Sequence, residues 1–161
     1  MYFQSDYATI PNVGVLNSDF TALTLSFWMK AKATTSGDAG LFGKGTSRYG
    51  TTYHTDGQVW FYIGGGGDNL KTPVSKNKWH HIAAAFDGST LYLYVDGTLA
   101  TSGPSSASST GTGGTFYVAR ATSFFDGWID NGAVYDRSLT SAEIEQLYVD
   151  GLKSHGNIVV K

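Results

Sequence analysis

Residues 23–30, LTLSFWMK, place Leu23, Leu25, Phe27 and Met29 on one side and Thr24, Ser26, Trp28 and Lys30 on the other. That two-residue period predicts a half-buried β-strand. Residues 40–50 begin as a short apolar strand and pass into a glycine-rich loop, and Asp56-Gly57 reads as a hairpin turn. Beyond it Val59, Phe61 and Ile63 alternate with Trp60 and Tyr62, so this strand has two apolar faces. Residues 64–67 with Asp68-Asn69 predict a connector, and Pro73 restricts the next segment to a sheet edge or strand end. The run WHHIAAAF from Trp79 to Phe86 turns at Asp87-Gly88, returns from Leu91 to Val95 and turns again at Asp96-Gly97, which predicts a meander. The polar, low-complexity stretch 102–114 reads as an exposed loop, and Phe116 to Arg120 as another strand.

From Phe125 to Tyr148 the period changes. Phe125, Trp128 or Ile129, Ala133 and Tyr135 suit a strand, Asp136-Arg137-Ser138 breaks it, and Leu139, Ile144 and Leu147 give the next segment one helical apolar face. Thr140 with Glu143 three residues later forms a capping box that starts the helix. Asn157 to Val160 predicts a further strand beside the amino terminus. Many short strands with one late helix imply an all-β fold: an antiparallel β-sandwich of two sheets, with a short C-terminal helix covering one edge or end.

Composition narrows this picture. The 161 residues suffice for one core, so residues 1–161 are read as a single domain. A formal net charge of -2 supplies no basic field for nucleic acid. No apolar run reaches the roughly eighteen residues of a membrane span. Cysteine is absent, which removes disulfides and thiol chemistry. Met1-Tyr2-Phe3 leads straight into a strand-like segment, so no signal peptide is expected in this chain.

The stretch FDGWIDNGAVYDRSLTSAEI resembles the F-x-G-x-I-D-(D/N)-x-x-(I/V)-Y-x-R-(A/S)-L-(S/T)-x-x-E-I block that closes laminin-G-like domains of the concanavalin A-like lectin/glucanase superfamily. Phe125, Gly127, Ile129, Asp130, Tyr135, Arg137, Leu139, Glu143 and Ile144 fall in step with it. WHHIAAAFDGSTLYLYVDG is similar to the family's central block, and DYATIP and FTALTLSFWMK extend the resemblance over nearly the whole chain. Two positions depart: Asn131 stands where an acid is common and Gly132 where a β-branched residue is usual. The resemblance implies a jelly roll outside the cell, on a cell surface or on a virion surface. Its acidic amino-terminal turn and closing strand imply a calcium ion held by Asp6 and Asp130 with help from Asn131.

Catalysis finds little footing in the residues. Glycoside hydrolysis needs two carboxyl groups flanking one bond, and most acids here stand at turns beside glycine, with no E-x-D-x-x-E strand. No serine occupies a G-x-S-x-G elbow, and the runs GGGG and GTGG lack the lysine and helix of a phosphate cradle. His80 and His81, being adjacent on a strand, point to opposite faces and do not chelate one ion; His81 is expected to pack inside the sandwich. The remaining candidates are aromatic, since flat rings cover the apolar faces of sugars while a few polar groups fix hydroxyls. Trp60 and Tyr62 share a face, Arg48, Tyr53 and His54 lie in the segment feeding it, and Asn69, Arg120 and Phe124 lie in neighbouring loops. The expected role is non-catalytic binding of a polysaccharide or glycoconjugate. The alternative is a structural or adhesive surface module, such as a virion decoration or fibre component, which would form a symmetric homo-oligomer.

Overall fold

In the computed structural model, residues 1–4, 6–11, 14–34, 38–44, 48–64, 67–120 and 123–155 are described. Twelve strands precede one helix: β1 (Tyr2–Phe3), β2 (Ala8–Ile10), β3 (Leu23–Thr34), β4 (Ala39–Lys44), β5 (Tyr49–Tyr53), β6 (Gln58–Ile63), β7 (Asp68–Pro73), β8 (His80–Phe86), β9 (Thr90–Val95), β10 (Thr98–Pro104), β11 (Phe116–Val118), β12 (Phe125–Tyr135) and α1 (Ser141–His155). They form two six-stranded sheets, the first in the order β1-β12-β3-β8-β9-β10 and the second in the order β2-β11-β4-β5-β6-β7. All pairings between named strands are antiparallel. The expected strand 157–160 lies outside the described residues.

The inward faces follow the alternation read from the sequence. Leu23, Leu25, Phe27 and Met29 of β3 meet Val59, Phe61 and Ile63 of β6 in one core, joined by Leu41, Phe42, Tyr49, Tyr53, Phe86, Phe116 and Phe125. On β4 a bulge between Gly40 and Phe42 turns both Leu41 and Phe42 to that core. Gly40 and Gly43 consequently face outward.

The helix changes what the outer face of the first sheet means. Its N-terminus carries the expected capping box: Glu143 N donates to Thr140 Oγ1 at 3.3 Å and Thr140 N to Glu143 Oε2 at 2.8 Å. Arg137 adds a two-pronged contact to Glu143, at 2.6 and 3.0 Å. These bonds hold the Glu143 carboxyl down at about 2, the Arg137 guanidinium being the main cause. The helix then runs over the face of the sheet rather than along an edge, with Leu139 and Ile144 packed on Ala83 and Tyr94. Thr24, Ser26 and Trp28, polar or amphipathic positions that would face water on a bare sheet, are therefore buried. Thr24 Oγ1 donates to Arg137 O and accepts from Leu139 N, both at 2.9 Å, tying the helix entry to β3.

Three expectations change. Asp68 and Asn69 are not a connector but the start of β7, while Pro73 does end that edge strand. Residues 102–104 belong to β10, and the following segment is pinned: Asp68 Oδ2 accepts from Ser105 Oγ, Ser106 Oγ and Ala107 N, and the hydroxyl of the buried Thr110 accepts from Phe20 N at 3.0 Å. His81 packs beneath α1 rather than between the sheets. It is 1% exposed, faces Trp28, and its Nε2 lies 2.9 Å from Ser26 Oγ.

Candidate functional site

With α1 over the first sheet, the outer face of the second sheet remains as a broad strand surface. Antiparallel register aligns one row of outward residues across all six strands: Thr9, Tyr117, Gly43, Gly50, Tyr62 and Asn69. A second row runs Gly40, Thr52, Trp60 and Lys71. The centre of this face is therefore main chain. A Cβ at Gly43 would stand 2.3 Å from Gly50 Cα, so that position requires glycine, and one at Gly50 would stand 3.0 Å from the Tyr62 hydroxyl, a tight contact that the ring would have to ease. Burial under its neighbours pushes the Tyr62 phenol up to about 12.

Side chains rise on either side of this glycine floor. On the β5–β7 side the His54 ring stacks on Trp60 at 4.0 Å and 11°, while Lys71 Nζ lies 5.1 Å from the indole centroid. Because β5 and β7 flank β6 on opposite sides, imidazole and ammonium approach Trp60 from opposite sides. The indole stands on edge, and its buried Nε1 has no hydrogen-bond partner among the described residues. His54 is fixed in turn, with Nδ1 2.7 Å from Asp38 Oδ1 and Nε2 3.1 Å from Thr52 Oγ1. On the β2–β11 side the Arg120 guanidinium lies 4.1 Å over the Tyr7 ring and 5.5 Å from Tyr117, and Phe124 lies 6.1 Å from Tyr7. Arg120 and Tyr62 meet above the floor in a recess of about 10 Å³, room for about one water.

The structure thus gathers Trp60, Tyr62, His54 and Asn69 on one bank and Arg120 and Phe124 on the other. It removes Tyr53 from the group: in β5, Tyr49, Thr51 and Tyr53 point inward, and Tyr53 is 0% exposed. Arg48 lies at the end of the sandwich, its guanidinium packed against Gly111. Sequence reasoning missed Tyr7, Tyr117, Lys71 and Asp38. Tyr117 was legible from its alternation with Phe116 and Val118, and Lys71 from its two-residue spacing to Asn69; nothing local marks Asp38 as the partner of His54.

Of the residues that the resemblance offers to a calcium ion, Asp6 and Asp130 each have another partner in this structure. Phe3 already pairs with Gly127, roughly 10 Å along β12 from Asp130, and the chain then runs away from Asp130 towards β2 in the other sheet. Asp6 Oδ1 accepts from Tyr7 N at 2.7 Å, whereas Asp130 faces His155 across 3.8 Å. Asn131, at φ 47, sits in the bulge of β12. Among the described residues no three His, Asp or Glu side chains converge to hold a metal.

A nucleophile-like chain occurs at the β8–β9 end: Ser75 Oγ lies 2.8 Å from His80 Nε2, and His80 Nδ1 lies 2.9 Å from Asp96 Oδ2. Asp96 Oδ1 also accepts from His81 N at 2.9 Å. Both carboxylate oxygens are thereby engaged in clamping the turn at Asp96, φ 51, to the start of β8, which is a structural task.

Comparison with known proteins fits this architecture. A laminin G family model of the concanavalin A-like lectin/glucanases superfamily matches residues 3–145. The chain belongs to that superfamily. No curated protein sequence matches it. Among solved structures, a Bacteroides ovatus protein assigned as carbohydrate-binding superposes with a TM-score of 0.74 at 16% identity, over 90% of this chain and 45% of that one. Domain 4 of an extracellular arabinanase from Geobacillus stearothermophilus, solved with arabinotriose, gives 0.66 at 20% identity over 81% and 68%. The botulinum neurotoxin serotype G binding domain gives 0.69 at 14% identity over 82% and 37%. This superfamily member therefore spans less than half of the first of these proteins, and at such identities the likeness concerns the fold.

Proposed function

We propose that the outer face of the second sheet binds carbohydrate without transforming it. The observation that carries this reading is the glycine-floored row between two aromatic and cationic banks, Tyr7, Tyr117 and Arg120 on one side and Tyr62, Trp60 and Lys71 on the other. The banks are rooted on β11 and β6, about three strand spacings or roughly 14 Å apart, and Arg120 and Tyr62 close over β4 and β5 between them. The recess beneath holds no more than a water, so the ligand lies across the banks, with Arg120, Lys71 and Asn69 donating to hydroxyl or carboxylate oxygens. Trp60, already covered by His54 and Lys71, supports its bank rather than serving as the stacking platform. Asp38 is held by His54 and has no second carboxylate beside it in this group, which disfavours the paired-acid chemistry of glycan hydrolysis. That structures of similar fold include a protein assigned as carbohydrate-binding and a domain solved with arabinotriose supports the same reading.

A glycan array probed with the wild-type protein, Arg120→Ala and Tyr62→Ala tests it. Binding of one or more glycans, weakened in both variants, is the expected result. Absence of binding across polysaccharides and glycoconjugates sinks the proposal, and a concentration-independent oligomer in sedimentation would then favour a structural surface module.

A further inference from the structure

A cavity of about 220 Å³ lies between α1 and the outer face of the first sheet, on the opposite side of the sandwich from the glycine floor. Its inner wall is Ser26, Trp28 and His81; Ala133, Leu147 and Gly151 line it further; and Asn131, Tyr135 and Asp150 complete it, with Asn131 and Asp150 exposed. Geometry keeps this space open. The helix cannot settle closer, because Gly151 already touches Trp28 so tightly that a Cβ there would lie 2.2 Å from the indole Nε1. Across from it, the β12 bulge between Asp130 and Ala133 places the small Ala133 in the wall between Asn131 and Tyr135.

Behind the lining stands one unpartnered polar atom. His81 is buried and its Nε2 is taken up by Ser26 Oγ, but Nδ1 has no hydrogen-bond partner among the described residues. In a neutral imidazole one nitrogen is a donor and the other an acceptor, so either tautomer leaves one polar position of the Ser26–His81 pair unsatisfied, which natural cores seldom tolerate. Size limits what can enter: the cavity exceeds the about 150 Å³ void that admits benzene and falls below the roughly 300–1,000 Å³ of pockets for drug-sized ligands. Of the eight lining side chains, those of Ser26, Trp28, His81, Asn131, Tyr135 and Asp150 carry hydrogen-bonding groups, while the Trp28 ring, Ala133 and Leu147 supply apolar contact. Asp150 already accepts from Gln146 and Lys153 on the helix surface, but a carboxylate has about four acceptor positions.

We infer that this cavity is a second binding site, taking a single polyhydroxylated ring, that is, one monosaccharide unit. It is independent of the second-sheet reading and shares no residue with it. The ring's hydroxyls exchange hydrogen bonds with Asp150, Asn131 and Tyr135, and its apolar edge lies against Trp28 and Leu147.

The test uses free glucose, galactose, mannose and N-acetylglucosamine as probes, read by saturation-transfer NMR and by melting temperature at millimolar sugar. The wild type is compared with Ala133→Leu, which fills the cavity from β12, and with Asp150→Ala at its exposed side. At least one sugar should give saturation transfer and raise the melting temperature, and Ala133→Leu should weaken that binding about tenfold or more. Should Ala133→Leu fail to fold by circular dichroism, the same loss is expected of Asp150→Ala, a surface change. The inference is overturned if none of the four sugars binds, or if binding survives in both variants. Binding abolished by Arg120→Ala but untouched by Ala133→Leu would assign it to the second sheet and likewise overturn the cavity site.

Discussion

The His155 ring stacks on Trp28 with centroids 4.7 Å apart and planes 27° from parallel, while Trp79 closes on its other contacts at 4.6 Å. The imidazole is 4% exposed and lies within 3.8 Å of Asp130. The last turn of α1 is thus fastened by a histidine wedged among aromatic rings, one strand from a second buried histidine, His81, which also faces Trp28.

Acid should loosen this fastening. Burial, opposed in part by Asp130, pulls His155 below the ordinary histidine value of 6.5, and burial pulls His81 down to about 4. Both are therefore favoured as neutral rings in the fold, so their stability contribution is full above pH 6.5 and is lost as pH falls through the interval down to about 4. For His81 the gap converts to roughly 3 kcal/mol. The contribution of Glu143 is likewise full above pH 4.5 and is lost as pH falls towards about 2, where the carboxyl takes up its proton and releases Arg137. Thermal melts should show a falling midpoint between pH 7.5 and pH 5, and His155→Phe, which keeps a ring but cannot titrate, should flatten that fall. A midpoint unchanged over this range would contradict the account.

Gly151→Ala should destabilise the protein, against helix propensity. In an exposed helix the exchange gains about 1 kcal/mol. Here the added methyl would sit 2.2 Å from Trp28 Nε1 and 2.6 Å from Cε2, so α1 must lift from β3. The expected outcome is a lower urea midpoint together with a shift in tryptophan emission as Trp28 gains water. An increase in stability would mean that the helix rides farther from the sheet than described.

Thr140→Ala removes the hydroxyl half of a reciprocal cap, leaving the Thr140 N to Glu143 bond in place, and should cost about 1 kcal/mol. Because the helix packs mainly through Leu139, Ile144 and Leu147, the variant should remain folded, with the loss visible as faster amide exchange in the first turn of α1. Exchange equal to that of the wild type would show the cap to be dispensable.

The strands and turns that were legible share one property: their signals are local. Leu23 to Met29, Val59 to Ile63, the turns at Asp56-Gly57 and Asp87-Gly88 and the Thr140–Glu143 box each depend on residues within a few positions of one another. The misread segments depend on distant neighbours. Thr24 and Ser26 look solvent-facing until a segment more than a hundred residues later lies over them. The second half of 40–50 read as a glycine-rich loop because Gly43 and Gly50, facing each other across β4 and β5, look like turn residues in one dimension. With β5 unseen, Tyr53 was grouped with the binding candidates, although its strand position turns it to the core. Gly132, odd against the family pattern, is explained by Phe42: a Cβ there would come within 2.7 Å of that ring.

Under the proposed function, Gly40, Gly43 and Gly50 have a consequence for how recognition by this face can diversify. A platform made of peptide planes offers no side chains to vary, so altered preference must come from the flanking positions, which belong to different strands and tolerate independent exchange. A library that fixes the three glycines and randomises Tyr7, Tyr117, Tyr62, Asn69 and Lys71 would explore new specificities while leaving the scaffold's hydrogen-bonded ladder untouched.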